Sequence, residues 1–307
     1  MKAARLHAPG DLRIDECLVP SPSAHEVVLK VLVCGICGSD IPRITTNGTY
    51  RYPTTLGHEF MGIVVQVGHC VSPEALGRRA AVIPLIGCQS CEFCRVGLFF
   101  HCSRYNFLGS RCDGGFAEFV LVPFQNLVFL DANVGDFEGA LMEPATVGLH
   151  TVRRSEVHTG DTVVVFGAGA IGLFAAQWAR LSGASCVVQV DVRDDSLKIA
   201  RDCGGDVVIH AAKEDPVDVV LSLTRGKGAD LAIEAAGTPE SSAQAFRCVR
   251  RRGRIALVGR VDGEWLMPED VLTGLLRKEQ TVYGNWGFDV QPFPANDWTI
   301  AAEAFSQ

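Results

Sequence analysis

The feature that most constrains the fold of this 307-residue chain is a glycine-rich turn between a short apolar strand and a helix. Residues 161–166 read Asp-Thr-Val-Val-Val-Phe, which is typical of a buried strand, and the next six residues read Gly-Ala-Gly-Ala-Ile-Gly. Gly167 permits the tight turn, and Gly169 lets the backbone approach a pyrophosphate. Gly172, which follows Ile171, lets the helix pack closely on the strand, and the phosphate charge would lie at the N-terminus of that helix. The turn therefore predicts a dinucleotide-binding site; a purely structural glycine turn is the alternative.

An acidic residue follows at the position where such sites bind the ribose of the cofactor. The predicted next strand, 186–191, ends at Asp191, and this acid lies about 20 residues beyond the turn, where a carboxylate binds the adenosine ribose hydroxyls. Its negative charge would repel a ribose phosphate, so the sequence favours NAD over NADP. Arg193 stands two residues later and could accommodate that phosphate, which keeps NADP open as the second choice.

The segments around this turn indicate a doubly wound parallel sheet. From about 150 to 285, short apolar runs alternate with runs of helical spacing, as expected for an α/β domain whose parallel strands are buried on both faces. The predicted strands are 161–166, 186–191, 206–209, 230–234 and 254–258, and the predicted helices are 171–181, 196–203, 218–224 and 241–249.

The first part of the chain has a different character. Short runs rich in Val and Ile are separated by Gly and Pro, which predicts an irregular, mostly β domain with strands at 26–33, 60–67 and 116–122. We therefore expect three regions, which are a mostly β catalytic domain over 1–147, an α/β dinucleotide-binding domain over 148–285, and a return segment over 286–307 in which a helix begins at Trp298 or Thr299.

Composition excludes several classes of partner. The net charge is −7 and no basic patch dominates, which argues against nucleic acid. No uninterrupted apolar run reaches the roughly 18 residues of a membrane-spanning helix. Residues 1–9 lack the apolar core of a signal peptide. We expect a cytoplasmic protein that acts on a small molecule, with no membrane partner.

Four of the twelve cysteines form a compact group in the first domain. In a reducing compartment, clustered cysteines indicate a metal site or catalysis rather than disulfides. The group is Cys88, Cys91, Cys94 and Cys102. Four thiolates close a tetrahedral shell around zinc, which makes a structural site. An iron–sulfur cluster also takes four cysteines, but the bacterial ferredoxin run has a different fourth spacing and a Pro where Ser103 stands here. Unliganded buried thiols are the remaining alternative.

A second set of metal-binding side chains is spread along the chain. Cys37 stands in Cys-Gly-Ser-Asp, whereas His58 and Glu59 stand in Gly-His-Glu-Phe. Glu143 opens Glu-Pro-Ala-Thr-Val-Gly. A thiolate, an imidazole and carboxylates can hold zinc and leave a position open for substrate, although spacing alone does not assemble these residues. Cys34 and Cys37 also form a C-x2-C pair, but a thioredoxin-like redox site normally has a βαβ context that this region lacks.

In this order, the Cys-Gly-Ser-Asp, Gly-His-Glu, cysteine-quartet and glycine-turn motifs resemble the zinc-containing medium-chain dehydrogenases over essentially the whole chain. The resemblance implies a GroES-like catalytic domain with two zinc ions, followed by a Rossmann domain. It implies that Cys37 and His58 bind the catalytic zinc and that Glu59 is a ligand or near-ligand that exchanges with water. Glu143 matches the acid that replaces a cysteine ligand in the polyol-dehydrogenase branch, and Ser39 matches the hydroxyl of the proton relay.

The function implied by this resemblance is a zinc-dependent, NAD-linked oxidation of a secondary alcohol to a ketone, on a polyol or a sugar-alcohol phosphate. An unphosphorylated polyol or threonine is the alternative substrate. A phosphorylated substrate needs cations, because arginine binds phosphate through a planar fork of donors. The candidates are Arg43, Arg51, Arg111 and Lys278, each of which could instead be a solvated surface charge.

Members of this family usually continue beyond the point at which this chain ends. We therefore expect part of the first domain's core to be exposed, and a nucleotide-binding chain without catalysis is a further alternative. The resemblance also implies a homodimer or homotetramer formed through edge strands of the Rossmann sheet. The weakly charged stretch 254–258 and the loop 259–266 are the candidate interface.

Overall fold

The computed structural model describes residues 1–290 and 296–307, so part of the predicted loop after residue 285 lies outside the described residues. The chain divides into two compact units. Unit 1 comprises Met1–Glu143 and Asp289–Gln307, and unit 2 comprises Pro144–Phe288. Within the described ranges, no helix is both long enough and apolar enough to cross a membrane.

Unit 1 is built on antiparallel strands. They are β1 (Lys2–Ala8), β2 (Asp11–Glu16), β3 (Glu26–Gly35), β4 (Thr54–Thr55), β5 (Glu59–Val67), β6 (Arg79–Val82), β7 (Leu85–Ile86), β8 (Asn106–Phe107), β9 (Phe119–Pro123) and β10 (Leu127–Phe129). The main sheet has the order β10-β6-β5-β3-β9, and two smaller sheets have the orders β2-β1-β4 and β7-β8. Three short helices of this unit are α1 (Asp40–Pro42), α2 (Glu92–Arg95) and α3 (Asp136–Ala140).

The main sheet of unit 1 carries its apolar core on β3, β5 and β9. Val27, Leu29, Phe60, Val64 and Val120 are each at most 3% exposed. Burying an aliphatic or aromatic side chain contributes about 1.5–3 kcal/mol, so this cluster holds β3 and β5 in a fixed register. The consequence for the site is local, because the last residues of β3 are paired with the first residues of β5.

Unit 2 contains one parallel sheet flanked by helices. Its strands are β11 (Thr162–Phe166), β12 (Cys186–Asp191), β13 (Val207–His210), β14 (Ala229–Glu234), β15 (Val249–Leu257) and β16 (Thr281–Gly284). The helices are α4 (Met142–Arg154), which begins two residues before this unit, α5 (Ala170–Leu181), α6 (Asp194–Asp202), α7 (Pro216–Leu223), α8 (Pro239–Cys248) and α9 (Glu269–Lys278). All adjacent strands are parallel, in the order β13-β12-β11-β14-β15-β16. This 3-2-1-4-5-6 order is that of a Rossmann fold, which confirms the predicted fold class.

The interpretation of the stretch 254–258 as an edge strand is wrong. β15 pairs with β14 on one side and with β16 on the other, and Ile255 and Ala256 are fully buried. A weakly charged apolar run is typical of a central parallel strand, which is covered on both faces. The edge strands are β13 and β16. β16 was not predicted from the sequence, because it has only four residues and most of them are exposed. The last helix, α10 (Asp297–Phe305), belongs to unit 1 and begins one residue before the first of the two predicted starts, Trp298 and Thr299.

Candidate metal and dinucleotide sites

Three of the four predicted ligands of the catalytic metal come together in unit 1. The ligand atoms of Cys37, His58 and Glu59 lie within 4.8 Å of one another. Cys37 follows the end of β3, whereas His58 immediately precedes β5 and Glu59 begins it. Gly35 at the end of β3 is paired with Glu59, and a Cβ at Gly35 would collide with the Glu59 carboxylate. The strand pairing and a glycine therefore create the space in which these three side chains converge.

Asp40 organises this group from behind. It is fully buried, its Oδ2 accepts a 3.1 Å hydrogen bond from the backbone N–H of Cys37, and its Oδ1 lies 3.5 Å from Nδ1 of His58. Nδ1 of His58 makes no hydrogen bond within the described residues, and the contact with Asp40 is an electrostatic one. Burial is the largest single effect on the pKa of His58 and lowers it, but Asp40, Cys37 and Glu143 together raise this pKa well above its ordinary value. With Nδ1 facing Asp40, Nε2 is the ring nitrogen that can bind a metal.

The fourth predicted ligand, Glu143, is buried at the start of α4 and coupled to the same group by charge. It lies outside the three residues whose ligand atoms are within 4.8 Å of one another. Burial raises the pKa of Glu143 to about 7; the charge of His58 opposes this shift, whereas Glu59 adds to it. Several buried acidic groups that share one imidazole are costly together unless a cation balances them. The arrangement therefore suits a divalent metal ion.

Ser39 lies beside this group and has a defined donor. Nη1 of Arg43 donates a 2.6 Å hydrogen bond to Oγ of Ser39 and lies 3.4 Å from Oδ1 of Asp40. Because a hydroxyl has one hydrogen to donate, an oxygen that already accepts from a guanidinium keeps its own hydrogen for another partner. Asp40 had no role among the residues predicted from the sequence, and Arg43 was a candidate only for phosphate binding. The available signal was the acid three residues after Cys37 in the Cys-Gly-Ser-Asp motif.

The cysteine quartet forms a second compact group in unit 1. The sulfur atoms of Cys88, Cys91, Cys94 and Cys102 lie within 4.8 Å of one another. Cys91 caps α2, where its sulfur accepts a hydrogen bond from the backbone N–H of Cys94 at 3.4 Å. Tetrahedral coordination by four sulfurs leaves no open position, so this group suits a structural metal rather than a catalytic one.

Hydrogen bonds to the quartet favour thiolates. The backbone N–H of Arg104 donates to Sγ of Cys102 at 3.4 Å, and its guanidinium donates to Sγ of Cys88 at 3.4 Å. Hydrogen bonds from Ser90 lower the pKa of Cys88 to about 5, whereas burial raises the pKa of Cys94 to about 12. The thiolate is the metal-binding form, so a bound metal would have to displace the proton of Cys94. All twelve cysteines are free thiols.

In unit 2 the glycine turn joins β11 to α5 with the geometry that its sequence predicts. Gly167 has φ +94°, and a Cβ there would lie 2.8 Å from the backbone nitrogen of Ala236. A Cβ at Gly172, in the first turn of α5, would collide with the carbonyl oxygen of Gly167. By contrast, no atom lies within 4 Å of a Cβ built at Gly169, which leaves the backbone there open to a ligand.

Asp191 stands at the carboxyl end of β12 and holds the turn. Its Oδ2 accepts a 2.8 Å hydrogen bond from the backbone N–H of Ala168, and its Oδ1 accepts from the N–H groups of Val192 and Arg193 at 2.8 and 2.9 Å. The side chain of Arg193 is 70% exposed, with Nε 3.7 Å from Oδ1 of Asp191. Asp191 and the glycine turn are therefore joined by a hydrogen bond.

Comparison with known proteins identifies the family. Residues 23–132 match the model of the alcohol dehydrogenase GroES-like domain, and residues 170–307 match that of the zinc-binding dehydrogenases. Galactitol 1-phosphate 5-dehydrogenase from Escherichia coli K12 is 33% identical over 308 residues, which cover 100% of this chain and 89% of the relative. The chain belongs to the zinc-type alcohol dehydrogenases. It is therefore an oxidoreductase with a GroES-like domain and a Rossmann domain, as the sequence predicted.

Other members of this zinc-type family share the fold closely. Sorbitol dehydrogenase from Bacillus subtilis is 34% identical over 265 residues, covering 84% of this chain and 75% of the relative. The crystal structure of galactitol-1-phosphate dehydrogenase from Escherichia coli superimposes with a TM-score of 0.92 at 34% identity, and the match covers 100% of this chain and 89% of that chain. A zinc-binding dehydrogenase from Sinorhizobium meliloti, solved with bound NADP, has a TM-score of 0.90 at 32% identity and 99% and 88% coverage.

Proposed function

We propose that this zinc-type dehydrogenase oxidises a secondary alcohol of a polyol or sugar-alcohol phosphate, such as galactitol 1-phosphate, to a ketone, with NAD as the hydride acceptor. The observation that carries the proposal is the convergence of Cys37, His58 and Glu59 beside the buried Glu143. The relative that acts on galactitol 1-phosphate supports the phosphorylated substrate, and sorbitol dehydrogenase supports the unphosphorylated alternative.

In this proposal the chain holds two zinc ions. Sγ of Cys37, Nε2 of His58 and the carboxylates of Glu59 and Glu143 would hold the catalytic one, and the quartet would hold the structural one. A bound catalytic zinc supplies Lewis acidity, which lowers the pKa of a substrate hydroxyl. Asp40 would keep the imidazole in the orientation and tautomer that direct Nε2 to the metal.

The remaining roles belong to side chains and backbone that handle the proton and the cofactor. Ser39 would take the substrate proton at Oγ while its own proton moves on, with Arg43 fixing the position of the oxygen. The backbone at Gly169 would receive the pyrophosphate, and Ile171 would line the first turn of the helix behind it. Asp191 would bind the adenosine ribose and favour NAD over NADP, with the nearby Arg193 as the feature that favours NADP.

The organisation at larger scale is part of the same proposal. The catalytic domain would comprise 1–147, the dinucleotide domain 148–285, and the return segment 286–307. A homodimer or homotetramer and a cytoplasmic location stay predictions, and analytical ultracentrifugation would test the first.

The test combines metal content with NAD reduction on a panel of alcohols. We expect two zinc ions per chain and turnover of galactitol 1-phosphate well above that of sorbitol, xylitol, threonine and 2,3-butanediol. Turnover of sorbitol or threonine, but not of galactitol 1-phosphate, would contradict the proposed substrate. It would still support the proposed reaction, which is the oxidation of a secondary alcohol. Two zinc ions without turnover on any alcohol would refute the catalytic proposal.

A matched pair of variants tests the metal ligands. Cys37→Ser should lose one zinc ion per chain and all NAD reduction, because a serine hydroxyl is a much weaker zinc ligand than a thiolate. Cys34→Ser changes a neighbouring thiol outside the ligand group and should keep both zinc ions. Equal zinc content in the two variants would show that Cys37 is not a ligand.

A further inference from the structure

Arg111 has an environment that fixes its guanidinium in unit 1. The guanidinium carbon lies 4.2 Å from the centre of the Tyr50 ring and 4.1 Å from the centre of the Tyr105 ring. Guanidinium groups stack on aromatic faces, and such contacts restrain the plane of the fork while leaving its N–H edge uncovered. The two tyrosines therefore hold the fork in place from two sides, although Tyr50 itself is 70% exposed.

The donors of this fork are not used within the described part of the chain. Of the four cations considered for a phosphate, Arg43 bonds to Ser39, Arg51 pairs with Asp113, and Lys278 donates to two backbone carbonyls. Among residues 1–290 and 296–307, the guanidinium of Arg111 makes no hydrogen bond and no ion pair. A guanidinium whose plane is restrained and whose N–H groups are unused can bind an anion from outside the chain.

Arg111 also lies one tight turn from the candidate catalytic metal site. Its backbone N–H donates a 2.9 Å hydrogen bond to the carbonyl of Phe107, whose ring centre lies 5.6 Å from that of His58. In the same turn, Gly109 packs on Gly57, the residue before His58, so closely that a Cβ on Gly109 would collide with the Gly57 carbonyl. The position of the guanidinium is therefore tied to the position of the imidazole.

We propose that Arg111 is a specificity residue that binds the phosphate group of a phosphorylated polyol whose alcohol carbon reacts at the candidate metal site. The inference rests on the proposed function and names the residue that would select this substrate class. The planar fork matches phosphate oxygens with two parallel charge-assisted hydrogen bonds. The stacking on Tyr50 and Tyr105 reduces the conformational entropy lost on binding.

Steady-state kinetics of the zinc-loaded enzyme test this role with a matched control. We expect Arg111→Gln to raise KM for galactitol 1-phosphate about tenfold to a hundredfold, because charge-assisted hydrogen bonds are lost, and to leave KM and kcat for sorbitol within about twofold. The control is Arg78→Gln, since Arg78 also stacks on an aromatic ring, at 3.7 Å from the centre of Phe129. It should leave KM unchanged for both substrates.

A variant that keeps the charge distinguishes the fork from simple attraction. Arg111→Lys keeps a cation but presents no planar fork, so its KM for galactitol 1-phosphate should fall between those of the parent and Arg111→Gln. Circular dichroism and thermal melting check that each variant is folded. If Arg111→Gln does not fold, Arg111→Lys carries the test, and an unchanged KM in that variant would overturn the proposal.

Calorimetric titration with inorganic phosphate separates this inference from the proposed reaction. With NAD at saturation, so that the glycine turn is occupied, we expect phosphate to bind the parent and Arg78→Gln and to bind Arg111→Gln at least about tenfold more weakly. If no alcohol on the panel is oxidised, the proposed function fails and this titration alone decides. Equal phosphate binding by Arg111→Gln and Arg78→Gln would overturn the inference. A loss of activity in Arg111→Gln that is confined to threonine oxidation would also overturn it, because Arg111 would then bind the carboxylate of that substrate.

Discussion

At the scale of single residues, the fully buried Asp40 is a positioning residue that can be tested by substitution. It accepts a hydrogen bond from the backbone N–H of Cys37, and its other carboxylate oxygen lies 3.5 Å from Nδ1 of His58. Acids that orient a metal-binding histidine strengthen metal affinity, and Asp40→Asn should therefore weaken zinc binding at this site about tenfold to a hundredfold. Competition with a zinc chelator measures the affinity.

The control for Asp40 is another acid that contacts a histidine in unit 1. Oδ2 of Asp15 lies 2.8 Å from Nε2 of His7 on the β1–β2 hairpin, away from both ligand groups. Asp15→Asn should leave zinc affinity unchanged. A loss of affinity of the same size in both variants would mean that Asp40 acts only through general stability.

The cysteine quartet gives a second residue-scale prediction. Cys94 is buried, and burial raises the pKa of its thiol. The charged thiolate is therefore unfavourable at this position unless a metal is bound. Cys94→Ser should reduce the zinc content by about one ion per chain and lower the free energy of unfolding of unit 1 by more than about 2 kcal/mol. Elemental analysis and thermal melting measure the two effects. Cys70→Ser, at an exposed cysteine outside the quartet, should change neither.

Asp191 carries the prediction about cofactor choice. Asp191 accepts a hydrogen bond from the backbone N–H of Ala168 in the turn, and it is the acid that we propose binds the adenosine ribose. Asp191→Asn should raise KM for NAD about tenfold, because a charged acceptor for the ribose hydroxyls is lost, and should raise KM for NADP much less. Initial rates with each cofactor give both values. A parallel loss with NAD and NADP would indicate damage to the turn instead of a change in selectivity.

At the scale of elements, the sequence predicted five of the six strands of unit 2 and four of its six helices, because periodicity is strongest where strands are buried. It did not predict α4, α9 or β16. The strand 186–191 and the end of the helix 171–181 agree with β12 and α5 to the residue. The sequence did not predict β1 and β2, whose polar hairpin has no apolar run to mark it. It also began β15 at 254 instead of Val249, because three arginines at 250–252 hide the first half of that strand.

For the sites as well, the sequence predicted only the groupings that are visible along the chain. Motif spacing predicted the quartet, since its members lie close together in the sequence, and the structure brings them within 4.8 Å. The convergence of Cys37 with His58 was available only through resemblance, because it depends on the long-range pairing of β3 with β5. The stacking of Arg111 between Tyr50 and Tyr105 had no sequence signal at all, since it joins two loops far apart in the chain.

The link between β15 and the loop before β11 gives an element-scale prediction. Arg254 is 7% exposed, and its Nη2 donates to Oδ2 of Asp161 at 2.5 Å. Its Nη1 donates to the carbonyls of Ser155 and Glu156. Arg254→Met should cost about 3–5 kcal/mol, because it removes the cation that balances a buried carboxylate and the donor to two carbonyls. Among the described residues, the carboxylate would keep only the hydrogen bond from the backbone N–H of His158. Urea unfolding measures the loss.

Two further variants show whether the stability lost in Arg254→Met comes from the charge of Asp161 that is left without its arginine. Asp161→Asn combined with Arg254→Met should lose less than the sum of the single changes, since the pair acts as a unit. Arg250 is on β15 like Arg254, and it pairs with Asp230 of the neighbouring β14 in a partly exposed ion pair. Arg250→Met breaks this pair and should cost less than about 1 kcal/mol. Equal costs for Arg250→Met and Arg254→Met would contradict a special role for the buried pair.

At the scale of the whole molecule, the candidate metal ligands and the candidate dinucleotide site lie in different units. All eight candidate zinc ligands lie in unit 1, and the glycine turn and Asp191 lie in unit 2. Ligands stabilise the parts of a protein that they contact in the native state, so metal and cofactor should each protect their own unit. The chain would then respond to two ligands at two separate sets of backbone amides.

Hydrogen exchange followed by mass spectrometry tests this division. Removal of zinc with a chelator should speed exchange most in the peptides covering 88–104, because the N–H groups of Cys94 and Arg104 are bonded to cysteine sulfur that the metal would hold in place. Addition of NAD to the zinc-loaded protein should slow exchange most at 165–173, where the backbone at Gly169 is open to a ligand. Unchanged exchange at 165–173 with NAD bound would contradict the assignment of the glycine turn. Unchanged exchange at 88–104 after loss of zinc would mean that the quartet folds without its metal.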